Sequence, residues 1–94
     1  MVDPRAEEDA RHAFLWYAER SPVAAADLEA LLTRAVEDLA DTALAWPEKE
    51  PGIRARVLAK YPYTLFYRAA PDEILIVAVA HQKRKPGYWR RRSL

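Results

Sequence analysis

The apolar positions in the first half of the chain follow the spacing of amphipathic helices. A first set contains Ala10, Ala13, Phe14, Tyr17 and Ala18. It predicts a helix over about residues 4–19, with Asp3 as the N-cap and Pro4 at the first helical position. A second set contains Leu28, Leu31, Leu32, Ala35, Val36 and Leu39. It predicts a helix over about residues 22–45, and the short connection predicts an antiparallel hairpin.

The period of the pattern changes to two after a predicted loop at residues 46–52. Basic residues then alternate with apolar ones, so that Arg54, Arg56 and Lys60 share one face. Such a pattern predicts a strand that is covered on one side only. The predicted elements of this half are strands over about residues 54–60, 63–69 and 74–81 and a basic tail at 82–94.

Two helices followed by three antiparallel strands predict an α+β fold, with the helical hairpin packed on a three-stranded sheet. Residues 1–94 are enough for one domain, which would bury about 60% of its extended surface and be only marginally stable without a partner. We expect most of the aromatic residues to pack in the core or between helix and sheet. These are Trp16, Trp46, Tyr61, Tyr63 and Tyr67.

Composition excludes several classes of protein. The chain has no cysteine, and its two histidines, His12 and His81, are far apart in sequence, so neither a disulfide framework nor a metal site is expected, and no cofactor. Its N-terminus lacks the basic start and apolar segment of a signal peptide. The longest apolar run, residues 74–80, is too short to span a bilayer. These features predict a cytoplasmic protein that does not bind membranes.

The net charge of +1 hides a strong asymmetry between the two halves. Residues 1–52 carry five basic against twelve acidic residues, a net of −7, and residues 53–94 carry ten against two, a net of +8. One interpretation is an anionic partner for the second half, either nucleic acid or an acidic protein segment. The alternative is that the two halves attract each other and stabilise the fold.

A basic site remains once common enzyme classes are set aside. Gly52 and Gly87 stand alone, so there is no phosphate-binding glycine loop, and neither serine lies near a plausible base. Metal-independent RNA cleavage requires a base, an acid and cations that stabilise the phosphorane, and arginine, lysine and tyrosine can supply them. Aromatic residues among cations also suit stacking on unpaired bases. The catalytic candidates for such a nuclease are Arg56, Lys60, Arg84 and Tyr88.

The order of motifs from residue 56 to residue 89 resembles the ParE/RelE superfamily of bacterial type II toxins. A basic strand is followed by Tyr61-Pro-Tyr63, by a central strand that ends in Tyr67-Arg68, and by a last strand that leads into His81-Gln-Lys-Arg-Lys-Pro-Gly-Tyr-Trp89. The family usually has a short strand before its first helix, for which Met1–Asp3 are too few. The resemblance therefore implies that this strand is absent or very short, or that the chain begins at an internal start. Its absence would leave an open sheet edge.

The resemblance implies a cognate antitoxin as partner, in a toxin–antitoxin hetero-oligomer. RelE-like members are ribosome-dependent mRNA endonucleases, whereas ParE-like members poison DNA gyrase. The segment from His81 to Trp89 is nearer the ParE-like pattern and favours gyrase as the target. Tyr88 keeps the mRNA endonuclease as an alternative. A small nucleic-acid-binding domain without toxicity is a further alternative. The expected target-binding residues are Arg56, Lys60, Arg68, His81, Lys83, Arg84, Tyr88, Trp89, Arg90 and Arg91.

Overall fold

The computed structural model describes residues 1–84 and 87–93. Helix α1 spans Pro4–Ala18 and helix α2 spans Pro22–Thr42, and they pack against each other as the predicted hairpin. Both begin as the sequence predicts: the side chain of Asp3 accepts a hydrogen bond from the backbone N–H of Arg5, and that of Ser21 accepts one from Ala24. These acceptors satisfy N–H groups that have no partner within the helix.

The strands form one antiparallel sheet with the order β1-β2-β3-β4. The strands are β1 (Glu48–Glu50), β2 (Ile53–Val57), β3 (Tyr63–Ala69) and β4 (Ile74–His81). The sheet therefore has four strands rather than the predicted three, since β1 lies inside the predicted loop. Its three charged residues, between Pro47 and Pro51, carry no apolar alternation, and only the pairing with β2 makes them a strand. A short charged strand is typical of a protected sheet edge.

The first predicted strand is too long at its C-terminal end. β2 ends at Val57, and the chain bends over residues 58–62. Lys60 therefore does not share a strand face with Arg54 and Arg56, as the alternation had predicted. Leu58 lies just past the end of β2, and its side chain is buried in the core between the sheet and the helices.

The N-terminal residues cover part of the outer edge of β4. Val2 makes a single parallel bridge with Ile76, whose N–H donates to Met1 and whose carbonyl accepts from Asp3, both at 2.9 Å. Further along, the carboxylate of Asp9 accepts a hydrogen bond from the N–H of Val79 at 3.1 Å. The family's first strand is thus reduced to one bridge, and the expected open edge is closed at these positions.

The sheet is covered on both faces, which corrects the prediction of a single covered side. Between the sheet and the helices lies one core that contains Leu28, Leu39, Leu65 and Tyr67. A second, smaller core on the other face contains Ile53, Val77, Ala78 and Trp89, with Phe66 packed against it. Trp89 is contributed by the tail, whose residues Arg90–Ser93 form a 3₁₀ turn. The tail thus covers the face of the sheet that the strand pattern predicted to be open.

Strand register places the basic face of β2 toward the helices. Arg54 pairs with Tyr67 and Arg56 with Leu65, and directly paired residues project to the same side of a sheet. Because Tyr67 and Leu65 belong to the helix-side core, the two arginines lie at its margin, where Arg54 donates to the carbonyl of Trp46 at 2.6 Å. Their side chains therefore act at the end of α2 rather than on an open sheet face.

The aromatic predictions hold with one exception. Tyr63 and Tyr67 are buried, and Tyr61 and Trp46 pack against the helix-side core. Trp16 was also expected to pack, but its side chain is 50% exposed. Within the described residues, no helix combines the length and the apolar character needed to cross a membrane.

Candidate functional site

The predicted basic residues fall into separate groups, the first of which is bound to α2. A side-chain nitrogen of Arg56 lies 3.2 Å from a carboxylate oxygen of Asp38, and its guanidinium lies 4.8 Å from the ring centroid of Trp46. Lys60 is 2.8 Å from Asp27. Arg56 and Lys60 thus connect the end of β2 and the following bend to α2.

A second group lies where β4 ends, beside α1. The guanidinium of Arg84 stacks 3.5 Å from the ring centroid of Tyr88, and that of Arg92 lies 4.9 Å from the same centroid. The hydroxyl of Tyr88 is 3.5 Å from Asp9. Burial, and next the negative charge of Asp9, raise the pKa of Tyr88, while the two arginines oppose the shift. The phenol is therefore protonated at neutral pH.

His81 and Lys83 belong to this second group. Nδ1 of His81 accepts a hydrogen bond from the backbone N–H of Lys83 at 3.1 Å. A neutral imidazole that accepts at Nδ1 carries its proton on Nε2, so His81 presents an N–H donor on its other side. The ring is also held edge-on against Tyr63, with the centroids 5.2 Å apart.

The remaining predicted residues lie elsewhere. Trp89 is buried and stacks on Phe66 with the ring centroids 4.5 Å apart. Arg90 is 2.9 Å from Glu50. Arg68 lies against the turn between β1 and β2, where a Cβ on Gly52 would be 2.6 Å from its guanidinium and where Gly52 has a φ of +81°. The predictions for the side chain of Arg91 and for residues 85, 86 and 94 of the tail lie outside what the structure describes.

Ion pairs between the two halves of the chain support the alternative explanation of the charge asymmetry. They join Arg56 to Asp38, Lys60 to Asp27, Arg90 to Glu50 and Arg92 to Asp9. Much of the positive charge of the second half is therefore compensated within the fold. By contrast, no carboxylate of the described residues lies within 4.0 Å of the charged groups of Lys83 or Arg84. These two residues form an uncompensated basic surface at the end of β4.

Beside this surface lies a cleft of about 330 Å³ between α1 and the end of β4. It is lined by Asp9, His12, Ala13, Trp16, Tyr17, Tyr63, Val79, His81 and Arg84. The sequence analysis did not find this cleft, although Asp9, His12, Ala13 and Trp16 recur at helical spacing on one side of α1. The two histidines share the cleft, yet within residues 1–84 and 87–93 no group of three or more His, Cys, Asp or Glu residues could hold a metal ion.

Asp9 was also missed, and it holds the tail in place. Its side chain accepts from the N–H of Val79 and from both terminal nitrogens of Arg92, at 2.5 and 3.2 Å. Only 9% of the Asp9 side chain and 14% of the Arg92 side chain are exposed. A carboxylate at the margin of an otherwise apolar helix face was the signal in the sequence.

The four catalytic candidates do not converge on one point. Arg56 and Lys60 are bound by carboxylates of α2, whereas Arg84 and Tyr88 are associated with each other and with Asp9 of α1. Acid–base catalysis at one phosphate requires groups within hydrogen-bond reach of it. In this conformation the second group alone forms a candidate functional site, next to the cleft.

Comparison with known proteins places the chain in a family. A family model described as the ParE toxin of the type II toxin–antitoxin system parDE matches residues 1–86. A solved structure described as the chromosomal ParDE toxin–antitoxin system from P. aeruginosa has 21% sequence identity and a TM-score of 0.75, over 85% of this chain and 90% of that chain. At this identity the similarity shows the fold. Searching curated protein sequences gives no significant match. Because the family model covers nearly the whole chain, this protein belongs to the ParE toxin family of type II toxin–antitoxin systems.

Proposed function

We propose that this toxin arrests growth by inhibiting DNA gyrase in the cytoplasm, and that a cognate antitoxin neutralises it. The contact surface is chosen because Lys83 and Arg84, just after the end of β4, are exposed and have no carboxylate partner among the described residues. Charges left unpaired within a fold are available to a partner and affect the rate and specificity of its association. His81 and Tyr88, which adjoin them, would complete this contact.

An apolar groove supports the antitoxin part of the proposal. A cavity of about 280 Å³ lies between the two helices and the sheet edge, and Ala10, Leu32, Val36 and Ile76 are among its lining residues. An amphipathic helix buries its apolar face in such a groove. Because the edge of β4 is partly occupied by Met1–Asp3, a helix in this groove is a better fit than an added strand at that edge.

The alternative of ribosome-dependent mRNA cleavage has less support. The catalytic candidates for cleavage are held in two places. Burial raises the pKa of Tyr88, so at neutral pH its phenol is protonated and little of it is available as a general base. A DNA gyrase inhibitor needs only a binding surface and no catalytic group of its own.

The test is a gyrase assay with purified protein. Wild type should inhibit supercoiling and accumulate cleavage complexes, and Arg84→Ala should weaken inhibition about tenfold or more through loss of a charge-assisted contact. Tyr88→Phe keeps the ring that Arg84 stacks on and should be nearly silent. Lys49→Ala, which removes an exposed charge on β1, is the matched control.

Transcript integrity in translating extracts decides between the alternatives. Intact transcripts together with gyrase inhibition agree with the proposal. Ribosome-dependent cleavage that Tyr88→Phe abolishes would move the protein to the endonuclease branch. Induction without growth arrest would contradict both and favour a non-toxic nucleic-acid-binding domain.

A further inference from the structure

The cleft between α1 and the end of β4 combines aromatic walls with a localised positive charge. Its volume of about 330 Å³ is at the lower end of the roughly 300–1,000 Å³ that small-molecule sites occupy. Trp16, Tyr17 and Tyr63 supply flat apolar surface to the cleft, and His81 and Arg84 supply nitrogen donors. The proposed gyrase contact uses Arg84 and His81 of this cleft but gives no role to its aromatic residues.

The exposure of Trp16 is not explained by packing within the fold. The residue is 50% exposed on α1, although tryptophan normally buries most of its large apolar surface. Arg20 stacks on the ring at 3.7 Å and Tyr17 meets it edge-on, with centroids 4.8 Å apart, so the ring is held in position. A positioned, exposed indole that borders a cleft is suited to stacking on a planar ligand.

The polar groups at the cleft are suited to an anion. Arg84 is oriented by its stacking on Tyr88, which leaves the edge of the guanidinium to donate hydrogen bonds, and it has no carboxylate partner among the described residues. His81 is fixed by Lys83 so that Nε2–H is its donor. The one carboxylate at the cleft, Asp9, is already bound to Arg92 and to the N–H of Val79, which offsets its repulsion of an anion.

We propose that this cleft binds a single nucleotide, with the base stacked on Trp16 and the phosphate bound by Arg84 and His81. The cleft volume suits one nucleotide rather than a longer strand. A free nucleoside monophosphate and the phosphorylated end of a nucleic acid share this chemistry. The site shares Arg84 and His81 with the proposed gyrase contact, but Trp16 belongs to the nucleotide site alone.

Calorimetric titration of the full chain with adenosine 5′-monophosphate tests the proposal, with adenosine and inorganic phosphate as separate probes. Saturable binding of the nucleotide is expected, and adenosine and inorganic phosphate should each bind at least about tenfold more weakly. A 5′-phosphorylated dinucleotide that binds as tightly as the monophosphate would identify the end of a nucleic acid as an equal source of the ligand. Absence of saturable nucleotide binding at millimolar concentration would overturn the proposal.

Variants separate the two contacts. Trp16→Leu should remove the stacking and Arg84→Gln the phosphate contact, each raising the dissociation constant about tenfold, while Lys49→Gln should bind as wild type does. The nuclear magnetic resonance signal of the Trp16 indole N–H should shift when the nucleotide binds. The same signal in Arg84→Gln shows that this variant is folded. An indole signal that responds to an acidic peptide and not to nucleotide would assign the cleft to a protein partner and overturn the proposal.

Discussion

Asp9 connects three parts of the molecule through one carboxylate. It receives a backbone N–H of β4 and the guanidinium of Arg92, and it lies near the hydroxyl of Tyr88. Removal of one partner from a buried ion pair leaves the other charge poorly compensated, which costs more than the loss of an exposed pair. The remaining bond from Val79 moderates that cost.

We therefore expect Arg92→Ala to lower the free energy of unfolding by about 2–3 kcal/mol, below the full cost of an isolated buried charge. Arg90→Ala is the control, since the side chains of Arg90 and Glu50 are 60% and 30% exposed, and it should cost at most about 1 kcal/mol. Urea denaturation of both variants measures the difference. Equal losses in the two variants would show that the Asp9 pair has no special role.

At the scale of elements, the tail functions as a cover for the second face of the sheet. Trp89 is 4% exposed and stacks on Phe66, above Ile53, Val77 and Ala78. The 3₁₀ turn after it is held by Arg92, whose carbonyl also accepts from Arg5 at 2.7 Å. A contribution of Trp89 to gyrase binding would therefore act through the shape of the tail.

Trp89→Ala should lower the free energy of unfolding by about 3–5 kcal/mol, the usual cost of removing a buried large aromatic side chain. Trp16→Ala provides the comparison, because its indole is half exposed and should contribute less. Thermal unfolding followed by circular dichroism distinguishes them. If Trp89→Ala melted as wild type does, the tail would not belong to the cooperative core.

The bend after β2 is attached to α2 by Asp27. Hydrogen bonds from Lys60 and then from Tyr61 lower the pKa of Asp27. A carboxylate whose pKa is lower in the folded state stabilises the fold above its unfolded pKa of about 3.9, and this stabilisation is lost as the pH falls through the folded pKa.

Asp27→Asn should accordingly be less stable than wild type at pH 7, and the difference should shrink as the pH is lowered from about 5 toward 2. Denaturation at a series of pH values checks this. The other carboxylates with lowered pKa, those of Asp3 and Glu8, are present in both proteins and cancel in the comparison. A difference that does not change with pH would mean that the charge of Asp27 is not involved.

At the scale of the whole molecule, ion pairs between the acidic and the basic half contribute to the fold, and the basic end of β4 is left exposed. A 94-residue domain of this kind has a small core, so a partner that covers its apolar groove should stabilise it substantially.

A cognate antitoxin at 100 times its dissociation constant should add about 2.7 kcal/mol to stability and raise the melting temperature by roughly 10–20 °C. Val36→Glu, at the rim of the groove between the helices, should reduce this shift, whereas Val23→Glu, which is 80% exposed near the start of α2, should not. No shift at saturating antitoxin would contradict the partner proposal, and equal shifts in both variants would place the contact outside the groove.

The local elements and the family were predictable from the sequence because their signals are local. Asp3-Pro4 and Ser21-Pro22 begin the helices where the caps predict, and β3 and β4 have the predicted bounds, since capping and alternation act within a few residues. The motifs from Tyr61 to Trp89 indicated the ParE/RelE superfamily, and the family model agrees.

Tertiary structure decided what depends on pairing between distant residues. β1 is a strand only because β2 lies beside it, and the basic face of β2 points to the helices only because of its register with β3. Likewise Trp89 is buried because the tail folds back onto Phe66, where the ion pair of Arg92 with Asp9 also holds it. The alternation of residues specifies that a strand has two faces, but which face each partner covers is settled by the packing of the whole chain.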